Sequence, residues 1–463
     1  MSKMPLWTGL VPDQEPDPKS VRSAKTRSVV LAKSGSLIQG SSSLLLRFIQ
    51  LGLSFVVLGL QARFLGLADL GIVMMIVNSA LIATPLFEMG ATQLMLRGDA
   101  DRRSLRKSAM TWIVCLTATA LAGVFIASVF TDPEPNQLST WILGVAIAPF
   151  SALALLFGAE IRKNGRPLAG LFLIGALPQI VTVVVLAALH FSQFQAHGAT
   201  ADAIILACVA AAASGWVFAA VVAWQFSRNP ALPATGTQET IPFGQSMTQQ
   251  IRAGAGYMLT TLIGLVTINV GFYLVAWIYG SDDGALYRVA MQCAALVTFG
   301  AQALNGVFAH RFGVLHNEGQ TLYLQNLVSK ITIGSSLFAI ITTLTFALIG
   351  KSLLSISFGE QVSDAYMTAL ILCLSHITTF MIGNPSQVLS LCGHQYTAMR
   401  AVLTGLIILI LTGSILTHLI GAEGMAAAMV ILSVCNAWTL HRKTSTLLKI
   451  KADIFNAWCY RGR

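Results

Sequence analysis

About a dozen apolar stretches, each roughly 20 to 28 residues long, follow one another along the chain with short polar hinges between them. Such a stretch can cross a bilayer only as a helix, because a helix satisfies its own backbone hydrogen bonds where no water is present. The spans fall near residues 35–60, 70–96, 108–130, 139–160, 168–191, 202–226, 252–279, 284–309, 324–349, 363–390, 395–419 and 422–441. An all-α integral membrane protein with about 12 transmembrane helices follows, and no segment remains for a soluble domain. A chain made almost wholly of spans points to transport.

Composition agrees. Hydrophobic residues make up 55% of the 463 positions, charged residues 10%, and the mean hydropathy is +0.71. Soluble domains carry about a quarter charged residues. The net charge of +10 comes from short basic clusters at segment ends, which reads as membrane topology and not as a nucleic-acid surface. The seven cysteines have no CxxC spacing, and the histidines show no ligand spacing, so neither a structural disulfide nor a metal site is expected. No cofactor is implied, and no Walker A motif supports ATP-driven transport. Residues 20–33 of the basic N-terminal tail fit either an amphipathic helix on anionic lipid or a disordered extension.

The connections alternate in charge. Arg97, Arg102, Arg103, Arg106 and Lys107 follow span two; Arg162, Lys163 and Arg166 follow span four; Arg442, Lys443, Lys449 and Lys451 follow span twelve. The intervening loops carry almost no Lys or Arg. With roughly 25 basic residues on one side and about 3 on the other, the positive-inside rule places both termini in the cytoplasm. The longest connection, between spans six and seven, contains Pro230, Pro233, Gly236 and Pro242. It divides the chain into a tail (1–34), a six-helix bundle (35–227), a linker (228–251), a second six-helix bundle (252–441) and a basic C-terminal tail (442–463), with a central cavity expected between the bundles. A faint internal match supports the division: Gly66…Asp69…Gly71 precedes span two, and Gly280…Asp283-Gly284 precedes span eight.

The run Leu60-Gln61-Ala62-Arg63-Phe64-Leu65-Gly66-Leu67-Ala68-Asp69-Leu70-Gly71, followed by Phe87-Glu88-Met89-Gly90 and Arg97, resembles the polysaccharide (Wzx-type) flippases. These belong to the multidrug/oligosaccharidyl-lipid/polysaccharide exporter superfamily. Phe64 stands where tyrosine is common in that pattern, and Glu88 where aspartate is common. The resemblance implies two six-helix bundles around a cavity that opens alternately to each side of the bacterial inner membrane. The implied cargo is an oligosaccharide linked through diphosphate to a polyprenyl carrier. Membrane lipid, glycosyltransferases and a glycan polymerase are the implied partners; no nucleic acid is.

A diphosphate crossing hydrocarbon needs a wet cavity with fixed positive charge, and arginine grips phosphate with two donors. Arg47 lies about 12 residues, roughly 18 Å, from the start of its span. A charge at that depth costs at least about 2.5–3.5 kcal/mol, so a cavity or a partner is expected. Gln50 shares its face. Glu88 is the expected partner of Arg47 by antiparallel travel; a proton-coupling acid and an interfacial residue are its other readings. Arg288, Asn269 and Asn305 complete the candidate binding set, with Asn78 and Gln302 as further polar residues in apolar runs. Asn384-Pro385 predicts a break in span ten. Tyr257, Phe272, Tyr273, Trp277 and Tyr287 are candidates for stacking on sugar rings, and an interfacial belt explains Trp277, Tyr279 and Tyr287 more simply.

Two rivals remain. A multidrug exporter of the same superfamily requires acids in its cavity, where the deepest charge here is Arg47. A membrane glycan polymerase or ligase requires a sizeable outer loop, and none here exceeds about 15 residues.

Overall fold

The computed structural model describes residues 42, 45–97, 102–131, 135–164, 166–191, 200–228, 243–383, 385–392, 394–450 and 453–454. Among them the chain is helical, without a strand. The helices are α1 (Leu45–Phe64), α2 (Leu67–Glu88), α3 (Ala91–Arg97), α4 (Arg102–Thr131), α5 (Pro135–Lys163), α6 (Pro167–Phe191) and α7 (Ala201–Arg228), then α8 (Phe243–Tyr279), α9 (Ser281–Asn317), α10 (Thr321–Phe358), α11 (Ala365–Met381), α12 (Pro385–Leu391), α13 (Gln395–Ile420) and α14 (Ala422–Leu448). Eleven of the described helices are long and apolar enough to cross a membrane. The twelfth long helix, α9, carries Arg288 and Gln292 and packs among α2, α8, α10 and α11.

The first half is organised on α5, which touches α2, α4, α6 and α7; in the second half α9 packs on α8, α10 and α11, and α14 on α11 and α13. α4 turns nearly its whole surface outward, with 6% of its apolar window buried, whereas α5 is the most enclosed at 61%. An apolar helix with that much exposed side chain is stable only in hydrocarbon.

α2 joins the halves by lying on both α8 and α9. Glycine makes the approach possible at each end. At the far end, opposite to where α1 starts, a side chain at Gly71 would collide with the Ser281 carbonyl. At the near end, Gly90 (φ 70°) closes the turn after α2, and a side chain there or at Gly254 would strike the opposing backbone. The two turns that match each other in sequence therefore pack together. α1 supplies further contacts: its Phe48 meets Phe299 of α9, and the Arg63 guanidinium donates to the Ile356 carbonyl (3.1 Å) in the last turn of α10. That carbonyl belongs to the electronegative end of a helix, where a cation is favoured.

Several boundaries differ from the sequence reading. α2 stops at Glu88, not near residue 96, because Met89 (φ 49°) and Gly90 turn the chain into the short α3. α8 starts at Phe243, nine residues inside the stretch read as linker; polar residues can extend a helix beyond the hydrocarbon, so hydropathy underestimates its length. The expected break in span ten is present: α11 ends at Met381, and Pro385 opens α12, where its missing N–H is harmless. The tail (1–34) and residues 229–242 lie outside the described residues.

Candidate substrate cavity

One face of α1 carries Arg47, Gln50, Ser54 and Gln61, at spacings of three, four and seven, so the four polar side chains form a stripe on an otherwise apolar helix. Arg47 and Gln61 are about 21 Å apart along the axis. The stripe lines two adjoining cavities. The near-end one, about 380 Å³, is bounded by Arg47, Gln50 and Ser54 of α1, by Gly175 of α6 and by Thr298 and Phe299 of α9. The other, about 280 Å³, shares Gln50, Ser54 and Gly175 and continues along Gln61, Gln179 and Trp216 to Arg288. No Asp or Glu lines either cavity among the described residues.

Neighbouring helices hold this surface in place. Gln179 donates through Nε2 to Ser54 Oγ (2.7 Å), and Ser54 donates to the Gln50 carbonyl (3.0 Å). The Oε1 atoms of Gln179 and Gln61 are buried without a hydrogen-bond partner. Arg288 reaches in from α9, donating through Nη1 to Asn269 Oδ1 (3.2 Å), while the Asn269 amide donates to the Leu265 carbonyl (2.8 Å). Asn269 is thus locked to its own helix and orients the guanidinium without lining the cavity. Tyr273, one turn further along α8, pairs with Ser79 of α2 (2.8 Å) and donates to the Met75 carbonyl (3.3 Å), tying the two halves together beside Arg288.

Of the candidate residues, Arg47, Gln50 and Arg288 line the cavities, and Asn78 joins them. The side chain of Asn305 lies outside the described residues. Glu88 departs from expectation. It is 7% exposed at the end of α2, accepts a hydrogen bond from Thr92 of α3 (2.5 Å), and the nearby cation acting on it is Arg162 of α5. Axial depth alone suggested Arg47, but the C-terminal turn of α2 points Glu88 toward α3 and α5. A second buried acid on that side, Glu160, sits 3.7 Å from Arg106. Tyr287 is also corrected: it is 1% exposed and packs over Gly271 instead of standing in an interfacial belt, whereas Trp277, 85% exposed, faces outward as that reading requires.

Gln61, Gln179, Gln292 and Trp216 were not among the candidates, and all line the cavity. The stripe on α1 was a usable signal for Ser54 and Gln61. Nothing in the sequence separates Trp216 from the other tryptophans at span positions.

Comparison with known proteins adds the family context. Residues 37–308 match the family described as polysaccharide biosynthesis protein. A search of curated proteins returned no match. Among solved structures, the lipid II flippase MurJ in an inward closed conformation superimposes with a TM-score of 0.69 at 12% identity, over 91% of each chain. An inward-facing multidrug resistance MATE family transporter of the MOP superfamily gives 0.63 at 14% identity, over 88% of this chain and 95% of that one. A MOP superfamily transporter from Pyrococcus furiosus, described by the reverse polarity of its binding pocket, gives 0.63 at 12% identity, over 89% and 95%. At these identities the likeness is one of fold.

Proposed function

Because the chain belongs to the polysaccharide biosynthesis protein family, we propose that it is a flippase carrying a polyprenyl-diphosphate-linked oligosaccharide from the inner to the outer leaflet of a bacterial inner membrane. The observation that carries this reading is a cavity with Arg47 and Arg288 in its wall and, among the described residues, no acid. Phosphate oxygens lose their hydration on leaving the headgroup layer, and a guanidinium replaces it with two directed donors. The same wall repels the cations that a multidrug exporter would carry.

Both termini and the near end face the cytoplasm in this reading, following the basic residues that cluster there. Arg47 stands on that side and meets the diphosphate first; Arg288, about 10 Å along α9 from the far end, meets it later. The glycan occupies the aqueous space between the halves while the polyprenyl tail stays in lipid. Opening and closing about the glycine contacts of α2 with α8 and α9 exposes the cavity to each side in turn. Glycosyltransferases supply the cargo and a glycan polymerase consumes it.

The test is reconstitution in proteoliposomes containing a fluorescent polyprenyl-diphosphate-linked sugar, with an impermeant glycosidase outside. Protein-dependent conversion of the lumenal half of the pool is expected. Conversion limited to the outer half, together with uptake of a cationic dye, would overturn the reading in favour of a drug exporter.

A further inference from the structure

On the side of α2 away from the substrate cavity lies a groove of about 420 Å³ between α2, α4 and α5. α4 forms one wall without closing over it. Leu105, Ala109 and Ile113 anchor its near part, but beyond Ile113 none of its residues is buried, and a side chain added at Gly123 would meet nothing. The far part of α4 thus stands off the bundle, and the groove opens to hydrocarbon. Small residues, Ala80, Ala83, Gly144 and Ala148, line it between Phe87 toward the near end and Trp141 toward the far end. Among the described residues no charged side chain borders it, and the Ser79 hydroxyl is already paired with Tyr273. Such a groove suits an apolar chain and offers nothing to a headgroup.

We propose that this groove holds the polyprenyl chain of the cargo while the diphosphate and glycan occupy the cavity. The proposal rests on the flippase reading, which supplies the polyprenyl chain. Length favours that chain over a phospholipid. From Phe87 to Met75 the groove follows α2 for about 18 Å, more than one leaflet of a hydrocarbon layer roughly 30 Å thick. A phospholipid acyl chain ends near the midplane, whereas a polyprenyl chain continues past it. Continuity with the cavity is the second support. Met74 and Asn78 of α2 line the cavity, and Met75 and Ser79 line the groove. Tyr273 of α8 closes the seam at that level, pairing with Ser79 (2.8 Å) and donating to the Met75 carbonyl (3.3 Å). When the halves part, this seam is the line along which a diphosphate inside stays bonded to a chain outside. Lipid is as apolar as the groove, so discrimination rests on van der Waals fit, with the methyl branches of the chain seated over the alanines and Gly144.

The full-length protein in lipid nanodiscs tests this with two photoreactive probes, a polyprenyl-diphosphate-linked N-acetylhexosamine and a phosphatidylglycerol, each carrying a diazirine at mid-chain. Peptide mapping of the wild type should place the polyprenyl probe around Ala83, Ala120 and Gly144, at least about threefold above the phospholipid at equal mole fraction. Ala83→Phe and Ala120→Phe fill the groove from opposite walls, and each should cut that labelling by about threefold or more. Ala127→Phe, on the exposed side of α4, should leave it unchanged. Equal labelling of the groove by both probes would make it a site for bulk lipid and overturns the proposal, as does labelling that survives both groove-filling substitutions. The flippase reading stands through either result if binding of the polyprenyl probe, counted on its sugar, falls with Arg47→Ala. Binding that Arg47→Ala does not weaken removes the flippase reading and the polyprenyl assignment with it.

Discussion

Arg47 and Glu88 look alike in the sequence: each is an ionisable side chain set among apolar residues within its span. In the structure they belong to different regions. Arg47 lines an open cavity between α1, α6 and α9. Glu88 is buried where α2, α3 and α5 meet, accepting a hydrogen bond from Thr92, with Arg162 as the nearby cation that acts on it. The cost of burying a charge says that each must be compensated; it does not say whether by water and ligand or by the protein. A charge on a cavity wall can meet cargo, and one enclosed where helices join acts as structure.

Substitutions sharpen that contrast. Arg47→Ala should give the largest effect on transport, a loss of roughly 100-fold in the proteoliposome assay, equivalent to about 3 kcal/mol of charge-assisted hydrogen bonding. The protein should still accumulate in the membrane, so that the loss is read on inserted protein. Arg47→Lys should recover part of the rate, keeping charge without the two-pronged grip. Normal transport by a stable Arg47→Ala protein would move Arg47 into the same class as Glu88.

Glu88→Ala should act on the other axis. Leaving the buried Thr92 hydroxyl without its acceptor should lower stability by about 1–3 kcal/mol, read as reduced thermal stability in detergent, with transport per folded molecule nearly unchanged. Glu88→Gln retains an acceptor for Thr92 and should cost less. Full loss of transport in a well-folded Glu88→Gln protein would break the comparison and favour the proton-coupling reading.

Asn269→Ala probes the middle case, a residue beside the cavity that acts through another. Freed from its 3.2 Å hydrogen bond, Arg288 should bind diphosphate about 3- to 10-fold more weakly, and Asn269→Asp should not reproduce the loss. An unchanged affinity would show that Arg288 needs no positioning. The smallest effect belongs to the proline-containing connection between the halves. A short flexible insertion after Ala234 should leave glycan export nearly intact, since lengthening a loop adds little closure entropy. Loss of export at normal abundance would assign that segment a role beyond joining two bundles.

Much was legible before any coordinates. Apolar length predicted twelve spans, and α9, which brings Arg288 and Gln292 to the cavity, was among them at 284–309, although it falls short of the apolarity that marks the other eleven long helices. Polar cavity-lining residues dilute the hydropathy used to find a span. Asn384-Pro385 marked the break after α11, and Arg63 within its motif proved to tie α1 to α10.

Local chemistry was enough for the class of the protein, because a bilayer permits few backbone solutions and each residue's hydropathy votes for one of them. It was enough also to single out Arg47 as a candidate from its depth along one helix, and the structure places that residue on a cavity wall. What faces what was decided only by packing. The partner of Glu88 depended on how the turn at Met89 and Gly90 directs α3, and the grouping of Gln61, Gln179 and Trp216 depended on the mutual rotation of α1, α6 and α7. A helix presents every side of itself in its sequence, and only its neighbours determine which side is enclosed.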